Sequence, residues 1–239
     1  MTKKLIIILI ITNISCLFAQ INSGSVTYKI LFSFGDVKND IYRNQAVLNS
    51  EKLEYTLTFN QNCSLFSETD KLTEDKSSLR LASAFTGYIN PVYYSNIDKS
   101  FTYNNSFSPL VDYFEFRIKF IDTIGWKISD EVKFINNYKC FKATSQRVRY
   151  KKDRAYTFPV TAWFCPEIPL PFGPMDCAGL PGLIFELEYE NASFVLDKME
   201  LNKNVKVEEV KKGHIVTVKE FNDIFNTRLN EATKYLKNK

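Results

Sequence analysis

Residues 177–189 run CAGLPGLIFELEY: Gly179, Pro181 and Gly182 bracket Leu180, and an alternation of apolar and acidic residues follows at once. Proline fixes φ near −65°, which suits the second position of a type II turn, and glycine supplies the positive φ that the third position demands. A Leu180–Leu183 turn of that type is therefore expected, with Leu180 extended ahead of its proline and Gly179 allowing close backbone approach. Beyond the corner, Phe185, Leu187 and Tyr189 fall on one face of a strand and Glu186, Glu188 and Glu190 on the other. Before it, Pro166, Pro169, Pro171 and Pro174 stiffen a connection that cannot pair as a central strand. A rigid arch landing on a tight corner and feeding a half-buried strand predicts a β protein.

Outward from this joint the alternation persists. Strands are expected in residues 24–34, 40–50, 52–60, 91–105 and 111–121, the last with Phe114, Phe116, Ile118 and Phe120 on one face. The stretches YKCFKATSQRVRY and AYTFPVTAWFC form a hairpin with a charged tip, and Pro159 requires a bulge or an unpaired side in its second strand. Residues 183–190, 193–201, 204–210 and 214–219 read as a four-strand meander, and residues 67–83 as a long polar loop with room for one helical turn. Only the end changes period: Phe221, Ile224, Phe225, Leu229, Ala232 and Leu236 recur at helical spacing. The predicted fold class is mainly β, a curved antiparallel sheet forming a bowl or open barrel, with one C-terminal amphipathic helix against it.

The first residues place Lys3 and Lys4 ahead of the apolar run Leu5–Ile11 and end in Ala19, the layout of a cleaved secretory signal over residues 1–19. Residues 20–239 then make one β-rich domain. Asn13 is a poor residue three places before a lipidated cysteine, so anchoring at Cys16 is disfavoured. The expected location is the periplasm, the outer-membrane surface or the extracellular space. Loss of Lys3 and Lys4 from 31 basic residues leaves 29 against 27 acidic ones. That balance argues against nucleic acid as a partner, and no mature segment approaches the roughly 20 apolar residues of a membrane span.

Cys63, Cys140, Cys165 and Cys177 remain after cleavage. An exported chain meets oxidising conditions, so an even number predicts disulfides, with three pairings open. Cys165 with Cys177 is preferred because it closes the proline-rich arch, leaving Cys63 with Cys140. Metal and cofactor sites are not expected, since no histidine or CxxC spacing accompanies the thiols.

The segments YKCFKAT and TAWFCPEIPLPFGPMDCAGLPGLIFELEYE resemble the GLPGLI family of exported bacterial proteins, whose hexapeptide stands here as Gly179, Leu180, Pro181, Gly182, Leu183 and Ile184. Tyr138, Cys140, Lys142, Ala143, Ala162 and Trp163 share the resemblance. It implies a fold similar to the bowl-shaped N-terminal domain of a type II peptide:N-glycosidase F, apart from that enzyme's catalytic region, and carries no established reaction. Cys165 and Cys177 depart from the pattern, commonly Thr and an aromatic, which favours their pairing with each other.

Catalysis finds little footing. His214 is the sole histidine and lies in a strand-like run, where a structural role outweighs that of a general base. For contact with a ligand or partner, Arg147, Arg149, Lys151, Lys152 and Arg154 crowd the hairpin tip. Tyr93, Tyr94, Trp126, Trp163 and Phe164 are candidates to line an aromatic concavity. The leading expectation is a noncatalytic envelope module that binds a ligand or another envelope protein. The alternatives are a carboxylate-dependent hydrolase of glycans or peptides, and a structural partner of an outer-membrane uptake or secretion assembly.

Overall fold

A computed structural model describes residues 21–35, 40–69, 76–107, 114–151 and 154–237. The leader expected over residues 1–19, including Cys16, and Lys152 lie outside the described residues. Twelve strands form one sheet: β1 Ser23–Phe32, β2 Glu54–Asn60, β3 Cys63–Glu68, β4 Val92–Ser95, β5 Ser100–Phe107, β6 Phe114–Ile121, β7 Lys127–Ile135, β8 Tyr138–Lys151, β9 Arg154–Cys165, β10 Leu183–Tyr189, β11 Ala192–Leu201 and β12 His214–Val216. Their order is β12-β6-β5-β4-β3-β2-β1-β11-β10-β9-β8-β7, antiparallel except where β12 lies parallel to β6. Among the described residues three α-helices accompany them: α1 Ile41–Asn49, α2 Lys76–Phe85 and α3 Val218–Lys237.

Connectivity forces this sheet to curl. β6 and β7 are ten strand positions apart, about 48 Å if the sheet were flat at ~4.8 Å per step. The chain from Ile121 to Lys127 reaches at most about 20 Å. The two ends of the sheet are therefore drawn towards each other, yet β12 and β7 stay at its edges and the sheet remains open rather than closing into a barrel.

The arch of residues 166–182 contributes directly to the larger of two apolar clusters among the described residues. Ile168, Leu170, Phe172, Met175, Cys177, Ala178 and Leu180 are all buried. Phe172 packs against Phe59 and Tyr94, with ring centroids 6.1 Å away in each case. The Leu183 N–H donates to the Ile168 carbonyl (2.9 Å) and the Ile184 N–H to the Phe172 carbonyl (3.0 Å), binding the arch to the start of β10. Tyr28 of β1 donates its buried hydroxyl to the Ile184 carbonyl at 2.7 Å.

The corner is built differently from the expected type II turn. The positive φ belongs to Gly179 (84°), and Gly182 is not among the left-handed glycines. Gly182 is required for closeness instead: a Cβ there would run into the carbonyl of Cys165 and lie 2.8 Å from the Pro166 nitrogen. The tight turn of the arch lies upstream, where the Cys177 N–H donates to the Pro174 carbonyl (3.3 Å) and Met175 takes a φ of 58°.

Residues 41–49 are helical rather than extended. Asp40 caps them by accepting the Arg43 N–H (3.0 Å), and Ala46 and Asn49, not the larger Ile41 and Leu48, turn inward. The loop expected over 67–83 contains most of α2, on which Leu79, Ala82 and Phe85 meet the core. The meander is limited to β10 and β11, since residues 204–210 form no strand and β12 pairs with β6 at the far edge. The β8–β9 hairpin holds its register through Gln146↔Pro159 without a bulge. The β10 ladder ends at Val160, which leaves Pro159 beyond its reach. Helix α3 rests on β6 through Phe221, whose ring lies 5.5 Å from that of Phe116.

Candidate functional site

The short β6–β7 connection, the arch and β8 meet where the ends of the sheet approach. The Asp122 N–H donates to the Lys99 carbonyl (2.7 Å), and Ile124 returns its N–H to Asp122 Oδ1 (3.0 Å). Trp126 Nε1 donates to the Ala178 carbonyl (2.8 Å), and Ser145 Oγ of β8 to the Gly125 carbonyl (2.9 Å). These bonds fix Asp122 under the corner, so that a Cβ on Gly179 would lie 3.5 Å from Asp122 Oδ2.

Arg147 reaches into this junction from β8. Its side chain is 11% exposed, and Nη2 lies 3.4 Å from Asp176 Oδ2, an ion-pair distance. Nε and Nη2 are nevertheless buried without a hydrogen-bonding acceptor. Burial works against the guanidinium charge, but Cys177, Asp176, Tyr189 and Asp122 outweigh it and hold the group charged. Tyr189 donates to Asp176 Oδ1 at 3.3 Å.

The neighbours carry the imprint of this environment. Burial raises the Asp122 carboxyl above its ordinary range; the Ile124 N–H and Arg147 oppose that rise, and the like charge of Asp176 adds to it. Burial pushes the Cys177 thiol up to about 12, with Arg147 opposing. Tyr94 is raised to about 12 by burial and then by Asp122 and Asp98, and its buried hydroxyl has no hydrogen-bond partner. Two part-exposed carboxylates thus flank a buried guanidinium, an arrangement suited to accepting hydrogen bonds from hydroxyl, amide or ammonium groups.

Of the residues expected at the hairpin tip, Arg147 joins this site. Arg149, Lys151 and Arg154 lie on the β8–β9 ladder as Arg149↔Tyr156 and Lys151↔Arg154, with side chains outside the described residues. Trp163 is elsewhere, capped by Lys133 Nζ 4.4 Å from its ring, and Lys133 also pairs with Glu186 at 2.6 Å. Of the aromatic residues expected to line a concavity, Tyr94 and Phe164 are buried in the core and Trp126 donates to Ala178. His214 is exposed on the edge strand β12. Asp122 and Asp176 were missed, although each is a lone acid inside an otherwise apolar connection, IDTIG and GPMDC.

Cys63, Cys140, Cys165 and Cys177 are all free thiols here, and the preferred pairings are not formed. Cys165 lies against Cys140 instead of Cys177, Cys177 faces Arg147, and Cys63 donates to Asn60 Oδ1 at 3.3 Å. Among the described residues no group of three or more His, Cys, Asp and Glu is placed to hold a metal, and no helix is long and apolar enough to cross a membrane.

Residues 150–186, which contain the β9 strand, the arch and the corner, match the model of a family described as "Protein of unknown function (Porph_ging)". That match covers the hexapeptide and most of the longer segment that carries the sequence resemblance, and it begins after YKCFKAT at residues 138–144. No curated protein matches the chain. Two solved structures of PNGF-II share the fold at 10% identity, with TM-scores of 0.52 and 0.51 in its P21 and C2 crystal forms. Each alignment covers 87% of this chain but only 34% and 33% of PNGF-II, so the chain spans about a third of that protein's length.

Proposed function

We propose that the protein is a noncatalytic exported module of the cell envelope. It binds a ligand or another envelope component at the rim formed by Asp122, Arg147, Asp176 and the Gly179 corner. The observation that carries this reading is the convergence of two part-exposed carboxylates on Arg147 beside an exposed glycine corner. Asp176 and Gly179 lie in the segment matched by the family model. Export rests on the leader at residues 1–19. The likeness to PNGF-II supports a shared fold and carries none of that protein's chemistry.

The test is a thermal-shift screen of the mature chain against glycans, peptides, lipids, haem and metal ions. A ligand of the folded state at 100 times its Kd adds about 2.7 kcal/mol, and D122N/D176N should abolish that gain. A panel that moves neither protein would shift the reading to a structural partner of an uptake or secretion assembly.

A second reading, a carboxylate-dependent hydrolase, is favoured by one observation: Asp122 is biased towards its protonated form near Asp176, the acid and base asymmetry such chemistry uses. Turnover of a glycan or peptide that disappears in D122N would establish it over simple binding.

A further inference from the structure

We propose that Cys140 and Cys165 form a cross-strand dithiol that closes to a disulfide when the folding chain meets a disulfide oxidant. Continuing the β8–β9 register one residue past Phe141↔Phe164 sets Cys140 opposite Cys165. Facing residues of antiparallel strands have Cα atoms about 4.5 or 5.5 Å apart, according to the type of pair. Both values fall inside the roughly 4.4–6.8 Å window of a disulfide. Neither residue has exposed surface.

The two thiols are chemically unequal. Cys165 is drawn down to about 7, first by the hydrogen bond from Cys140; burial opposes this, and the N–H groups of Glu167 and Ile168 assist it. Cys140 is pushed up by the same contact and by burial. Before the arch packs either thiol can open the exchange, and both orders of attack give the same bond; one begins at Cys165. Its thiolate attacks one sulfur of the oxidant's disulfide, forming a mixed disulfide and expelling one thiolate. The Cys140 thiolate then attacks Cys165 Sγ and expels the second. One S–S bond forms in the protein and one is broken in the oxidant, which is reduced by two electrons and takes up the two thiol protons. Because the pair is fully buried, exchange belongs to the stage at which the hairpin exists and the arch is not yet packed. Cys165 is the last residue of β9, so the bond would pin the foot of the arch to the sheet.

The experiment refolds the mature chain with oxidised and reduced glutathione and blocks remaining thiols by alkylation. It is then digested without reductant using trypsin and a glutamate-specific protease, which cuts after Glu167 and separates Cys165 from Cys177. The expected product is a Cys140–Cys165 linked peptide, accompanied by a fall in Tm of about 5–10 °C on reduction. C63S/C177S should give the same link, and this variant keeps the test valid if C140S or C165S fails to fold. Four alkylated cysteines, or a link through Cys63 or Cys177, would overturn the proposal.

Discussion

The arch and the C-terminal helix invert the usual relation between regular structure and integration. Helix α3 has 20 residues of continuous backbone hydrogen bonding, yet only Phe221 and Ala232 are buried, while Leu229 and Leu236 remain 49% and 63% exposed. The arch has no helix or strand, yet Phe172, Cys177, Ala178 and Leu180 are each no more than 2% exposed. A buried irregular segment must satisfy its backbone groups. Five prolines, at 166, 169, 171, 174 and 181, remove five donors from that demand. The remaining N–H groups of Gly179 and Cys177 bond within the arch, and those of Leu183 and Ile184 bond back to it. Proline thus makes an internal loop affordable, whereas the helix satisfies its own backbone and needs little burial.

The largest expected effect tests this contrast directly. Phe172→Ala should lower stability by about 3–5 kcal/mol, because a fully buried ring leaves a cavity between Phe59 and Tyr94. Leu229→Ala, on α3, should change it by about 0.5 kcal/mol or less. Urea denaturation of both variants measures the difference; equal losses would mean that the helix is as integrated as the arch. The next effect is smaller and sharper. Tyr28→Phe removes the 2.7 Å bond to Ile184 and leaves a buried carbonyl without that donor, at a cost of about 1–2 kcal/mol. An unchanged midpoint would mean that the packing of the arch, rather than its bond to β1, holds the corner.

The same contrast explains what the sequence made legible. Proline spacing and the run from Leu183 to Tyr189 announced the arch and its strand, because φ restriction and period-2 alternation are local properties. The β8–β9 hairpin and helix α3 were legible for the same reason. Residues 40–50 misled because Ile41, Val47 and Leu48 mimic a strand, while the helix buries the small Ala46 against the core. Leu79, Ala82 and Phe85 carried a three-residue spacing inside a polar stretch, a real but short helical signal. Gly182 serves close approach rather than a turn; both call for glycine in the sequence, and only the position of the Cys165 carbonyl separates them. The Asp122–Arg147–Asp176 cluster was beyond local reasoning: its members come from the β6–β7 connection, strand β8 and the arch, and the curl of a twelve-strand sheet brings them together.

The smallest effect concerns the charge held at that junction. In the folded chain the Asp122 carboxyl is raised above the ordinary aspartate value near 3.9. Below that value it is protonated in both folded and unfolded chains and adds no pH dependence. As pH rises, the unfolded chain loses this proton first, so the folded state loses relative stability until its own carboxyl ionises; above that point the difference is constant. Asp98 has the opposite sign. Its bonds to Lys119 (2.6 Å) and Ser100 (2.9 Å) hold it below the ordinary range, so its contribution is present at neutral pH and is lost on acidification. Both groups are partly solvated, and screening keeps the effects modest. Melts from pH 3 to pH 7 should therefore find D122N gaining on the parent chain as pH rises, and D98N losing ground over the same interval. If D122N instead fell behind with rising pH, the attraction of Arg147 would outweigh burial, and the cluster would be an ion triad held by its own charges rather than a site with a carboxylate kept in reserve.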